Sequence, residues 1–171
     1  MNIKLRRICR LVVVCTAWGF VAGCRNIDCP IENTVMVGSR LYFPAADDGE
    51  QAAAADTLLV TAVGTDSVLY LERTDAIITF PLRYTAGHDT LLLNFVRSGR
   101  IHTTDSVFIE HENRIHFENI DCPPAVFAEI RRVAWANQSS GRIWIDSVSI
   151  SSPFVNYNET EHLQIFVHGR D

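Results

Sequence analysis

From residue 35 to residue 167 the chain is a succession of short apolar runs, each broken by Asp, Ser, Thr, Asn or Gly. Val35 to Phe43, Leu58 to Val63, Val68 to Leu71, Ile77 to Leu82, Leu91 to Val96, Val107 to Ile109, Arg114 to Glu118, Arg142 to Ile150 and His162 to Val167 each read as a β-strand. They are rich in β-branched and aromatic residues and too short for a stable helix. Val126 to Trp135 is ambiguous, because Val126, Phe127, Ile130, Val133 and Ala134 also fit helical spacing. Pro81 has no N–H to give to a ladder, so its strand is predicted at a sheet edge. Pro44 to Ala55, with Asp47-Asp48-Gly49-Glu50 and four consecutive alanines, reads as a loop. Strands about every ten to fifteen residues with little helix between them predict an all-β fold, a single antiparallel β-sandwich of Ig-like type over residues 34–171.

One triplet recurs: Asp, then Ser or Thr, then an aliphatic residue. It occurs at Asp56-Thr57-Leu58, Asp66-Ser67-Val68, Asp89-Thr90-Leu91, Asp105-Ser106-Val107 and Asp146-Ser147-Val148. Asp and Ser/Thr side chains bond nearby backbone and favour turns, and the next residue favours a strand, so the triplet reads as a strand-entry device. Its irregular spacing argues against a solenoid or propeller. The same triplet resembles the acceptor for periplasmic O-glycosylation in Bacteroidetes-type bacteria, which makes Thr57, Ser67, Thr90, Ser106 and Ser147 candidate modified residues.

The N-terminus follows a different pattern. Lys4, Arg6, Arg7 and Arg10 precede the apolar stretch Leu11 to Phe20, which is too short to cross a hydrocarbon core of ~30 Å as a helix. Val21-Ala22-Gly23-Cys24 follows, and the whole resembles a bacterial lipoprotein signal. On that reading residues 1–23 are removed, Cys24 is acylated, and residues 24–33 form a lipidated tether. The alternatives are an ordinary secretory signal with a chance cysteine, or an uncleaved anchor.

Cleavage removes the four leader cations, among them the chain's only lysine, and leaves 11 Arg against 20 Asp plus Glu, a formal charge of −9. Such a surface repels nucleic acid, so no nucleic-acid partner is expected. Of the cysteines, Cys9 and Cys15 leave with the leader and Cys24 takes the lipid. Cys29 and Cys122 remain, in an exported compartment where disulfides persist, and most simply pair with each other; a metal pair or two free thiols are the alternatives.

Candidate chemistry is thin. His111 and His116 are five apart on an expected hairpin and point to opposite faces; His162 and His168 share a face but lie too far apart to chelate together. His88 and His102 are expected in turns, and all six histidines read as exposed or rim residues. Neither a Gly-x-Ser-x-Gly elbow nor a Gly-rich phosphate loop occurs. Asp47, Asp48 and Glu50 lack the alternating ligands of a calcium loop. No catalytic residue, metal or cofactor is expected. Trp135 and Trp144, with Phe154 and Tyr157, are candidates for stacking a ligand, and otherwise belong to the core or its rim.

In the C-terminal half, Ile145-Asp146-Ser147-Val148-Ser149-Ile150, Pro153-Phe154-Val155-Asn156 and Glu161-His162-Leu163-Gln164-Ile165-Phe166, together with Asp28-Cys29-Pro30 and the lipobox, resemble an uncharacterised Bacteroidetes lipoprotein family. The resemblance implies an all-β lipoprotein of the outer membrane with no catalytic residues, and a β-barrel protein of that membrane as partner. Surface-exported members resemble one another in an acidic cluster after the acylated cysteine. Here Arg25-Asn26-Ile27-Asp28 holds one acid and one base, a departure that favours the periplasmic leaflet, with the cell surface as the alternative. The expected function is non-enzymatic: an anchored module that binds or supports another envelope protein. The alternatives are a glycan-binding module built on the tryptophans and an envelope hydrolase.

Overall fold

Alternation of buried and exposed side chains dominates the computed structural model, which describes residues 29, 34–43, 57–64, 67–72, 77–137, 143–158 and 160–169. These residues form β1 (Met36–Tyr42), β2 (Thr57–Ala62), β3 (Val68–Glu72), β4 (Ile78–Pro81), β5 (His88–Arg97), β6 (Arg100–His116), β7 (Ala125–Ala136), β8 (Ile143–Ile150), β9 (Phe154–Val155) and β10 (Glu161–Gly169). The expected leader at 1–23, Cys24, and the expected loop with Asp47, Asp48 and Glu50 lie outside the described residues.

Two sheets pack face to face as a β-sandwich, one ordered β4-β1-β10-β8 and the other β3-β2-β5-β6-β7-β9. In β6 the odd-numbered positions Thr103, Asp105, Val107, Ile109 and His111 turn inward, and Phe108, Glu110 and Glu112 turn out. Leu58, Val60, Leu91, Leu93 and Phe95 line the same inner face and meet Val37, Ile78, Phe80, Ile143, Ile145, Leu163 and Ile165 from the other sheet. Fully burying such side chains stabilises the fold by about 1.5–3 kcal/mol each before chain entropy is set against it.

Several expectations meet the structure directly. Pro81 closes β4, an edge strand as its missing N–H requires. Val126 to Trp135 is strand, not helix. The expected separate strands Val107 to Ile109 and Arg114 to Glu118 are parts of one 17-residue strand, β6, which pairs with β5 over its first two-thirds and with β7 lower down. His102 and His88 therefore stand in strands rather than turns. Among the described residues, pairing is antiparallel except at one place. β1 and β10 run parallel, with Ser39 opposite Leu163 and Leu41 opposite Ile165, so the last strand fills the gap between β1 and β8.

The pairing registers gather particular ends together. Met36 lies opposite Pro81, Gly38 opposite Glu161, and His116 opposite Ala125. The start of β1, the ends of β4 and β6, and the starts of β7 and β10 thus share one end of the sandwich. Cys29 and Cys122 are joined there by a disulfide across a sequence separation of 93 residues. At the same end Gly38 is held close to the chain before β10. A Cβ at this glycine would come within 2.5 Å of the Thr160 carbonyl oxygen, a contact no other residue can make without moving backbone.

Candidate functional site

Three buried polar groupings carry most of the interior chemistry, and all three use residues that a sheet would ordinarily place outside. The largest centres on Asp89, the second residue of β5. Its carboxylate accepts from Arg83 N–H at 3.0 Å, Arg83 Nε at 2.6 Å and His111 Nε2 at 3.0 Å. His111 Nδ1 stands 2.9 Å from Asn113 Oδ1, and the Asn113 amide is oriented by donating to the carbonyls of Arg83 and Ala86. A His–Asp pair at this distance is what general-base catalysis uses. Here, however, the His111 side chain is 0 % exposed and Asp89 only 5 %, so no substrate atom reaches the imidazole. The network instead pins the Arg83–Gly87 connection against β6, where His111 N–H also donates to the Gly87 carbonyl.

The second grouping is His162, fully buried at the start of β10. Gly38 N–H donates to its Nδ1 at 2.9 Å, so that nitrogen is bare; its Nε2 therefore carries the hydrogen and donates to the Phe154 carbonyl at 3.1 Å. The ring thus ties β1, β9 and β10 together as a neutral group, and burial pushes its pKa below the ordinary histidine value. A native ring that resists protonation makes the unfolded chain the better proton binder below about pH 6.5. The contribution of His162 is therefore complete above that pH and is lost as pH falls through and below it. Between pH 7.5 and pH 5.5 the wild-type Tm is expected to fall further than that of His162→Asn, whose amide oxygen can still accept from Gly38; equal falls would remove His162 as the cause.

The third grouping joins the two sheets. Asp105, 1 % exposed on β6, accepts the Ile145 N–H of edge strand β8 at 2.6 Å, and Asn137 Nδ2 donates to the Ile145 carbonyl at 2.7 Å. These two side chains occupy backbone groups that an added strand would otherwise take, which blunts the β8 edge. On the outer face, Arg131 and Arg114 pair with Glu112 and Glu129, and hydrogen bonding from Arg131 holds the Glu112 carboxyl below the usual carboxylate range.

His111 and His162 correct the expectation that all the histidines are exposed or at the rim. The alternation through Asp105, Val107 and Ile109 is the sequence signal that places His111 inside. The Asp-Ser/Thr-aliphatic triplets divide likewise. Thr57 opens β2 and Ser67 immediately precedes β3, as a strand-entry device should, and Asp89-Thr90 stands at the start of β5. Asp105-Ser106 and Asp146-Ser147 lie in mid-strand, so the entry reading fails for those two.

Trp135 and Trp144 do not share a platform. Trp135 lies opposite Val107 on the inner side of the six-stranded sheet. Trp144 is on the four-stranded sheet, opposite and packed on His168 with ring centroids 4.7 Å apart. Other aromatics do meet: Tyr42 stacks on Phe166 at 5.3 Å, and Phe127 stacks on His116 at 4.2 Å and meets Tyr157 edge-on at 5.1 Å. Beside this second group, at the disulfide end, a cleft of about 340 Å³ opens between Thr34, Met36, Ile77, Asn156 and Tyr157. A second, of about 250 Å³, is lined by Val35, Leu82, Tyr84, Pro124 and Val126.

Among the described residues no three His, Cys, Asp or Glu side chains are placed to hold a metal ion, and no helix is long and apolar enough to cross a membrane. No curated protein matches the chain, and no solved structure does. A family of unknown function, DUF6452, matches residues 57–167, from the first residue of β2 to Val167 in β10. The match spans more than half of the chain and nearly the whole sandwich, and the chain belongs to this family.

Proposed function

We propose that the chain is a lipid-anchored accessory domain of the outer membrane, acylated at Cys24 and facing the periplasm, that binds and supports another envelope protein without catalysing a reaction. An outer-membrane β-barrel protein is the proposed partner. The observation that carries this reading is the Cys29–Cys122 disulfide. It fastens the segment five residues beyond the lipobox cysteine to the body of the sandwich, an arrangement suited to a domain held at a membrane and to an oxidising compartment. The enclosure of His111 and Asp89 supports a structural rather than catalytic use of the most reactive-looking pair. For contact with a partner, the β3 edge offers Val68 and Leu71, both more than half exposed.

The test is crosslinking in intact cells of the native host, followed by affinity purification and mass spectrometry. One dominant outer-membrane partner is the expected result. Repeated recovery of the chain alone would sink the accessory role.

Of the five candidate O-glycan acceptors, Ser67 is the one we propose. It is exposed and precedes its strand, whereas Thr90 and Ser106 are half-buried within strands and follow aspartates that are 4 % and 1 % exposed. Thr57 and Ser147 are also half-buried. Peptide mapping of the native protein is expected to find a glycan on Ser67 and none on Thr90 or Ser106. A modified Ser106 with unmodified Ser67 would mean that the folded surface does not select the site.

A further inference from the structure

The disulfide end of the sandwich is unusually apolar for a surface. The β6–β7 hairpin reaches past the start of the four-stranded sheet, so Ile115, although it continues the inward-facing odd positions of β6, is 70 % exposed. Phe117 follows at 61 % and Ile120 at 92 %. Ile120 sits at the tip of a turn closed by Cys122 N–H donating to the Asn119 carbonyl at 3.2 Å. Tyr84 stands at the same end beside Val126, lining the smaller cleft, and is also largely exposed. One exposed aliphatic residue is ordinary; a group of them on one end, around one disulfide, needs an occupant.

The chain itself points to the occupant. Cys122 holds Cys29 at this end, and Cys29 is five residues from Cys24. Five residues span at most about 18 Å fully extended. We infer that this apolar end is a second membrane contact, with Ile120, Phe117 and Ile115 entering the interfacial layer of the bilayer that holds the lipid on Cys24. Aromatic and aliphatic side chains partition favourably into that layer. Contact there sets the orientation of the domain, directing the opposite end, with Trp144 and the β5–β6 turn, away from the membrane. Glu118 and Asp121 flank Ile120, so the contacted surface is zwitterionic rather than strongly anionic. The inference rests on the anchor at Cys24 proposed above.

Its test uses the full chain, processed and purified from membranes of the native host and reconstituted in phosphatidylcholine vesicles. Ile120→Trp and Phe117→Trp place a depth probe on exposed positions, and phosphatidylcholine brominated near the headgroup is the quencher. Trp135, ten residues up β7 from Ala125 and thus about 30 Å away, and Trp144 give the baseline. The added emission of either variant is expected to fall at least two-fold in brominated vesicles, while wild-type emission is unchanged. An acylated, vesicle-bound chain whose variants stay as bright as in unbrominated lipid would overturn the contact and leave the anchor standing. A chain whose intact mass lacks acyl groups, and which does not float with vesicles, would overturn the anchor and the contact with it.

Discussion

Asp89→Ala is expected to lower the unfolding free energy by about 3–5 kcal/mol, the cost typical of removing one partner from a buried ionic network. The carboxylate serves three donors at once, and the His111 Nε2–H, fully enclosed, has no water to turn to when it goes. The Arg83–Gly87 connection would also lose both of Arg83's bonds to Asp89, leaving Asn113 and the His111 N–H to hold it to β6. Urea unfolding at pH 7.5 measures this as a shift in midpoint at constant slope. Asp89→Asn, which keeps an oxygen acceptor but loses the charge, is expected to cost less. A change below about 1 kcal/mol for alanine would place the network among ordinary exposed ion pairs, contrary to its burial.

The disulfide is expected to matter as much. In the chain-entropy account, closing a loop of 93 residues restricts the unfolded chain by about 4–5 kcal/mol. The double variant Cys29→Ser/Cys122→Ser, which leaves no lone thiol at this pair, is expected to show a loss of that order in guanidinium. Because Cys29 lies ahead of β1, outside both sheets, the strands should keep their pairing while residue 29 comes away from Cys122. A variant with wild-type stability would mean that the unfolded chain is already compact between these two points.

How much of this was legible in advance depended on where polar residues sit. Strands with apolar inner faces, such as β2, β5 and β10, stand out from alternation alone. β6 does not, because its inner row continues from Ile109 into His111 and Asn113, and the run Glu110 to Arg114 reads as a break. The interior there is polar by construction: those two side chains complete the Asp89 network. In β7 the pairing slips at Arg131, between Glu110–Arg132 and His111–Ile130, so that one extra residue stands on that strand. Its inner positions then become Val126, Ala128, Ile130, Val133 and Trp135. A spacing that jumps from two to three mimics helical periodicity, which explains the ambiguity at Val126 to Trp135. The parallel pairing of β1 with β10 joins segments more than a hundred residues apart and leaves no local mark. Pro81, by contrast, announced its edge because the missing donor is a local fact.

Everything proposed about placement depends on the chemistry of one residue. The most direct measurement is the intact mass, under non-reducing conditions, of the protein extracted from membranes of its native host. The account predicts a chain beginning at Cys24, carrying acyl groups, and two hydrogens lighter than its reduced form for the Cys29–Cys122 bond. A chain that keeps residues 1–23, or begins elsewhere without acyl mass, would contradict it.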